Sequence, residues 1–431
     1  MTRPNLNRLY GDLARRKHYP VILIPGVFGS RLVNKKSGKE VWPGGFFNLM
    51  TGRHFNDLAI PVTSEDVHKN RDSMQPAGLF FEAVGHDFYG EIIKTLEGPG
   101  GYHCAPADRP RPETDCYLFS WDWRRDFTEA AAELDRLIES IRRRAGDTHL
   151  KVDIVAHSAG ALVARYYLRF GGEDVLNREN AVVTQAGAAK VRKAVLITPP
   201  NFGSVTALQV AMMGYRISPF GTIQPETLAT FPSTYQLLPH PDRDWMVDEY
   251  GQKISMDLYN IETWEKGSWW IFDPKIRRRI GEKFHHPEDA NRYLLSLERL
   301  MTQSLVRARW FHHYLSIPVG KSPTHYIVFG GDCHQTPARC LMETVHGRVM
   351  IRLRPDEVVR QIEGVDYERL MLEPGDGRVT KASVLARTTL DPEQKQTGYF
   401  PIEAFVFLCR DHEEMPGDIT FRDNLLNVLL Y

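Results

Sequence analysis

Apolar and polar positions alternate along the chain in blocks of two kinds. Short apolar runs have the length of buried strands: YPVILIPG at residues 19–26, CYLFSWDW at 116–123, KAVLITPP at 193–200, THYIVFGG at 324–331 and YFPIEAFVFLC at 399–409. Between them lie segments with helical spacing. DFYGEIIKTLEG (87–98) is amphipathic, and AAAELDRLIESIRRRAG (130–146) ends in a basic turn and a glycine stop. In VDIVAHSAGALVARYYL (152–168) an apolar strand runs into a helix at Ser158, and Gly171 and Gly172 follow. Strands and helices in this rhythm predict parallel pairing and a doubly wound α/β sheet. Residues 206–318 break the rhythm. They are charged and helical, with no convincing strand, as expected of an inserted cap. MIRLRP, at 350–355, fits one strand of a small hairpin. One domain over residues 18–431 is the economical organisation, with insertions at 41–84 and 206–318.

Composition narrows the function classes. The 431 residues carry 54 basic and 54 acidic side chains, a balance that argues against nucleic acid as a partner. No apolar run reaches the length of a membrane span, and the first residues lack the apolar stretch of a signal peptide. Cytoplasm, with a peripheral place at membranes, is the expected location. Five cysteines make a poor disulfide framework. Cys104 with Cys116, or Cys333 with Cys340, could bridge, but free thiols in a reducing compartment are the expectation. His334 beside Cys333 is too little for a metal site, so neither metal nor other cofactor is expected.

Ser158 carries the chemical question. A serine between a strand and a helix, with small residues two before and two after, fits the sharp turn that presents a nucleophile. Ala156 and Gly160 meet that steric demand. A hydroxyl becomes nucleophilic when a histidine takes its proton and an acid orients that histidine. In the chain order serine, acid, histidine, the late histidine is His412, in LCRDHEEMPGD shortly after the last expected strand. Two acids compete between them: Asp332 directly after a strand, and Asp376 in the glycine-flanked turn EPGDGRVT. The PGVFGS turn at 25–30 offers the Val27 N–H for an oxyanion hole, with Ala159 N–H as the second donor.

These motifs together resemble the lecithin:cholesterol acyltransferase family, which includes lysosomal phospholipase A and phospholipid:diacylglycerol acyltransferases. The likeness runs through VILIPGVFGS, DFYGEIIKTLEGPGGY, WDWRRDF, AHSAGALVARYYL, ITPPNFGSVTAL, FPSTYQLLP, GDGRVT and the late histidine. It implies an α/β-hydrolase fold and a serine-dependent lipid ester hydrolase or O-acyltransferase. Ser158 would be the nucleophile, Asp376 the acid, His412 the base, and Val27 and Ala159 the oxyanion donors. Phe28, Asp122 and Trp123 would belong to the substrate-binding region. A lipid or ester substrate, met at a membrane or lipid-aggregate surface, is the expected partner. The chain departs from the secreted members in having no cysteine within residues 41–84. Aromatic clusters in WPGGFF, MMGYRISPFG and KGSWWIF fit either a lipid-facing lid or packing of the cap on the core. Two alternatives stand beside this reading: a carboxylesterase for small soluble esters, and an inactive hydrolase fold used as a binding module.

Overall fold

In the computed structural model, seven strands form one sheet in which every pairing is parallel. The structure describes all residues except 1–4, 17, 46–54, 65, 81, 84–85, 88, 219–220, 389 and 391–398. In chain order the sheet strands are β1 (Val21–Ile24), β2 (Cys104–Pro106), β3 (Cys116–Leu118), β4 (Val152–His157), β5 (Val191–Ile197), β6 (His325–Gly331) and β7 (Ile402–Leu408). Their spatial order is β7-β6-β5-β4-β1-β3-β2. From β4 the chain winds outward through β5, β6 and β7, whereas on the other side of the β1–β4 pair it goes first to the edge strand β2 and then returns to β3 beside β1. In such sheets the carboxyl ends of the strands at this reversal are where a ligand site forms.

Both faces of the sheet are covered at β1, β3, β4, β5 and β6, so these strands read as apolar runs rather than as an alternation. The edge strand β7, also expected to be buried, has no fully buried residue and leaves Phe405 exposed. Ile22, Ile24, Ile154 and Leu196 join one buried cluster with helices α2 (Phe127–Ala145) and α3 (Ala159–Phe170). Val21, Leu23, Val155 and Val195 join the other, with α1 (Gly90–Glu97) and α5 (Ile419–Leu430). Helix α2 has the signals read in its sequence. Asp126 caps its N-terminus through Thr128 N–H, and Gly146 ends it at φ 65°.

The inserted region differs from expectation in one respect. It is helical, dominated by α4 (Pro287–Ser316), but it also contains strands. Tyr215–Arg216 pairs with Thr222–Ile223, and Met246–Asp248 pairs with Cys340–Val345, which forms a hairpin with Arg348–Arg352. Strands this short carry no period in the sequence. The tryptophans of KGSWWIF are inside: Trp269 and Trp270 are 9% and 1% exposed, and Trp270 Nε1 donates to the Pro225 carbonyl at 2.9 Å. Of the two readings left open for that cluster, this burial fits packing, since a buried indole with its N–H satisfied contributes more than one left in water. Trp42 is likewise buried, while Phe46, Phe47, Pro219 and Phe220 lie outside the described residues.

The cysteines correct a second expectation. Cys104 is bonded to Cys116, and Cys333 to Cys409, leaving Cys340 free and buried. Sheet register explains both pairs. Cys104 and Cys116 are direct partners on β2 and β3. Cys333 and Cys409 lie just past Gly331 and Leu408, the last paired residues of β6 and β7.

A buried ionic knot ties α4 to the sheet side of the molecule. Arg307 on α4 donates to Asp126 at 2.8 Å and Asp174 at 2.9 Å, with Arg307 and Asp126 almost fully enclosed. Removing the cation while keeping the buried carboxylate costs more than the pair contributes. Arg307→Met should therefore destabilise the fold by about 3–5 kcal/mol, measured by denaturant unfolding. A loss below about 1 kcal/mol would mean that water reaches Asp126.

Candidate active site

The site forms where the β1 and β4 carboxyl ends lie side by side, with Ile24 in register with Ala156. Ser158 follows β4 directly and has φ 54° and ψ −127°, a conformation few non-glycine residues adopt. Its N–H donates to the Ile197 carbonyl at 2.8 Å, and its own carbonyl accepts from Ala161 N–H at 2.9 Å. The two bonds hold the turn from both sides. The PGVFGS turn after β1 passes so close that a Cβ on Gly26 would stand 2.8 Å from Ser158 Cβ.

Around Ser158 three side chains form one hydrogen-bonded series. His412 Nε2 is 2.9 Å from Ser158 Oγ, and His412 Nδ1 is 2.8 Å from Asp376 Oδ2. The remaining carboxylate oxygen, Oδ1, accepts from the N–H groups of Arg378 and Val379 at 2.9 and 2.7 Å. Of the two competing acids, Asp376 meets His412. Asp332 pairs with Lys381 at 2.7 Å instead. Burial pushes the Asp376 carboxyl up, but the facing His412 and the two backbone donors outweigh it, so its pKa lies below the ordinary value. Burial pulls the His412 imidazole down. Asp376, by charge and hydrogen bond, and then Glu413 reverse this, leaving His412 above its usual 6.5.

Ala159 is the first residue of α3, so its N–H has no acceptor within the helix. Among the described residues, neither it nor the Val27 N–H is taken by another acceptor. Both belong to segments that flank Ser158. A cavity of about 440 Å³ adjoins the series, lined by Ser158 and His412 and by apolar side chains that include Val27, Phe28, Leu228 and Phe231. The Phe28 ring stacks on Tyr215 at 4.4 Å and meets Trp123 edge-on at 4.6 Å.

Not every expected residue reaches the cavity. Trp123 is fully buried behind Phe28 and donates Nε1–H to the Ser30 carbonyl at 3.0 Å. Asp122 holds Arg124, which also reaches Asp72 at 2.7 Å, so this segment braces the region around residue 72. The sequence reading assigned no role to several groups the structure brings here. Tyr89 contacts the Gly26 turn, His157 touches His412, and Arg378 pairs with Glu413 at the cavity wall. His157 had a visible signal, as the residue before the serine. Tyr89 had none, because it reaches the turn only through the fold.

Among the described residues, Cys333, His334 and Cys409 gather as side chains of metal-ligating type. Both sulfurs are already joined to each other. No helix among the described residues is long and apolar enough to cross a membrane.

Residues 122–216 match the family described as lipase (class 2). That span begins at Asp122 and contains α2, β4, Ser158, α3 and β5. No curated protein sequence matches the chain. Among solved structures, the chain is similar to one in the Tle4–Tli4 complex, at 16% identity over 95% of this chain and 98% of that one, with a TM-score of 0.55. It is also similar to EstA from Clostridium botulinum, at 10% identity over 96% and 87% of the two chains, TM-score 0.37. Staphylococcus hyicus lipase gives 12% identity over 99% and 96%, TM-score 0.37. Of these three, the first alone passes 0.5, and at its identity it speaks to the fold. The parallel sheet, with helices on both faces and a strand–serine–helix turn at its centre, is an α/β-hydrolase fold.

Proposed function

We propose that the protein is a serine hydrolase of lipase type, cleaving acyl esters through an acyl-enzyme on Ser158. The observation that carries this reading is the Ser158–His412–Asp376 series opening onto an apolar cavity. Ser158 Oγ attacks the ester carbonyl carbon as its proton passes to His412 Nε2. Asp376 keeps the other ring nitrogen protonated and offsets the positive charge that develops on the imidazole. The carbonyl oxygen becomes an oxyanion held by the Val27 and Ala159 N–H groups. Collapse expels the alcohol, which takes the proton from His412. Water, deprotonated by the same histidine, then attacks the acyl carbon and frees Ser158.

The apolar lining favours a fatty acyl chain over a small soluble acid, since each buried methylene adds about 0.8 kcal/mol. Transfer to an alcohol shares the first half of this cycle, and it is what the resemblance to the lecithin:cholesterol acyltransferase family implies. Incubation with a long-chain ester and an alcohol, with products read by mass spectrometry, separates free acid from transferred ester. The two disulfides support work in an oxidising compartment rather than in the cytoplasm expected from the sequence.

Three outcomes test the reading. A fluorophosphonate should label Ser158, and Ser158→Ala should lower turnover by about 10⁶-fold, as in a well-studied triad. Label elsewhere in the wild type would sink the assignment. Asp376→Asn should lower kcat by about 10⁴-fold, while Asp332→Asn, which loses only its pair with Lys381, should stay within roughly threefold of wild type. Equal losses at the two positions would overturn the choice of acid.

The pH profile has a definite sign. His412 acts as a base when neutral, so activity rises as it loses its proton. Because its pKa is raised, the acidic limb of kcat/KM should lie above pH 6.5. A limb centred below 6.5 would contradict the environment described for His412.

A further inference from the structure

Behind the proposed oxyanion turn lies a second hydrogen-bonded series that the reaction as written does not use. Gly26 N–H donates to the Tyr89 hydroxyl at 2.9 Å. That hydroxyl is 2.8 Å from His157 Nδ1. The other nitrogen of the ring, Nε2, is 3.1 Å from the backbone carbonyl of His412. All three residues, Tyr89, His157 and His412, are buried, at 3–5% exposure, so water does not compete for these bonds.

The direction of every bond follows from what each atom can do. A carbonyl oxygen only accepts, so the His157 proton sits on Nε2. Burial, with the nearby His412, holds the His157 pKa down to about 3, so the ring is neutral and Nδ1 is bare. Nδ1 must then accept the single Tyr89 hydroxyl proton. The oxygen of Tyr89 keeps its lone pairs for Gly26. Each donor has one acceptor, and no second arrangement satisfies all four groups.

The series joins two parts of the site that are distant in sequence. One end holds Gly26, the residue before Val27. The other holds the backbone of His412, whose N–H donates to the Asp376 carbonyl at 3.1 Å. Tyr89 precedes α1, which packs on the opposite face of the sheet from α3, so the anchor belongs to the scaffold. Its ring also closes on the turn: a Cβ on Gly29 would stand 3.0 Å from Tyr89 Cε2.

We infer that Tyr89 and His157 are positioning residues, a strut that fixes the spacing between the Val27 N–H and the His412 ring. The role rests on the acyl-enzyme reading of Ser158. Catalysis by such donors depends on their placement before the charge forms, and losing one costs about 10²–10³-fold in kcat. A strut that lets a donor drift should cost part of that, without weakening substrate binding.

The test uses the full-length protein and a soluble chromogenic ester, with active sites counted by fluorophosphonate labelling. Tyr89→Phe keeps the ring and removes one oxygen. Its kcat per labelled site should fall by roughly 10–100-fold, a fraction of a full donor loss, with KM within about twofold of wild type. A purely structural tyrosine would lower the melting temperature and the number of labelled sites, but not kcat per site. His157→Gln can still reach the His412 carbonyl with its amide N–H, so it should retain more kcat than His157→Leu. Because the two residues act as one unit, Tyr89→Phe combined with His157→Leu should cost no more than the worse single change. A Tyr89→Phe kcat per site within twofold of wild type overturns the strut and leaves the acyl-enzyme reading standing. Multiplying losses in the double variant also overturn it. A wild type that takes no label at Ser158 overturns the catalytic reading and the strut with it.

Discussion

The backbones of two strand ends approach so closely at Ser158 that no side chain fits between them. A Cβ on Gly160 would stand 2.4 Å from the Pro25 carbonyl oxygen and 2.9 Å from Ile24 Cγ2. That contact puts the first turn of α3 directly against the end of β1. It sets the distance from Ser158 Oγ to both proposed oxyanion donors, because Ala159 belongs to one backbone and Val27 to the other. The unusual φ of Ser158 follows from the same constraint: the chain must leave β4 and enter α3 within one residue. A second tight contact organises the histidine. A Cβ on Gly331, at the end of β6, would stand 2.5 Å from the Arg410 carbonyl and 2.7 Å from Asp376 Cβ. The loops bearing acid and base are thereby pressed together on a third strand end.

Much of this was legible because it is local. The β4–Ser158–α3 turn needs a strand, a small residue, a nucleophile and a glycine in one short stretch, and VDIVAHSAGA spells all of them. The central strands read as apolar runs because both faces of the sheet are covered there. The choice between Asp332 and Asp376 was not local. Each follows a strand or lies in a turn, and what separates them is a lysine: Lys381 occupies Asp332, while His412 lies against Asp376. The disulfides escaped for the same reason. Spacing along the chain suggested Cys333 with Cys340, but the bond goes to Cys409, 76 residues away, because β6 and β7 are neighbours. Indole burial in the cap was undecidable from composition, since a tryptophan beside glycines suits a lipid surface and a core equally well.

The Cys333–Cys409 bond bears on the site as well as on the compartment. Cys409 is the residue after β7 and precedes His412 by three positions, and Cys333 follows β6 by two. The bond therefore closes the gap between the strand end that carries Gly331 and the loop that carries the base. His334 adds a polar contact, its Nε2 lying 3.0 Å from Asp411 Oδ1. Arg378 and Glu413 add another between the acid's turn and the base's loop. Covalent and ionic links thus converge on the few residues around His412. A loop of that kind otherwise samples many conformations, and a base that must lie within hydrogen-bond reach of Ser158 cannot.

Two histidines with ring centres 5.1 Å apart show how neighbours, rather than burial, decide what an imidazole does. His157 and His412 are both 5% exposed. His412 faces a carboxylate at Nδ1, which favours the proton, so its pKa rises despite burial. His157 faces a phenol and a backbone carbonyl, neither of which carries charge, and the carbonyl bond and the more distant Asp376 do not outweigh burial and the neighbouring His412, which together hold its pKa down. The same residue type is thus a base poised to ionise in one place and a permanently neutral spacer in the next. The division also has a consequence for the base itself. A His157 that took up a proton would place a second positive charge beside His412 and oppose the imidazolium formed in each turnover. Keeping the neighbour neutral removes that repulsion, and neutrality is also what allows His157 to accept from Tyr89 while donating to His412. The electrostatic and the geometric demands on the residue before the nucleophile are met by one protonation state.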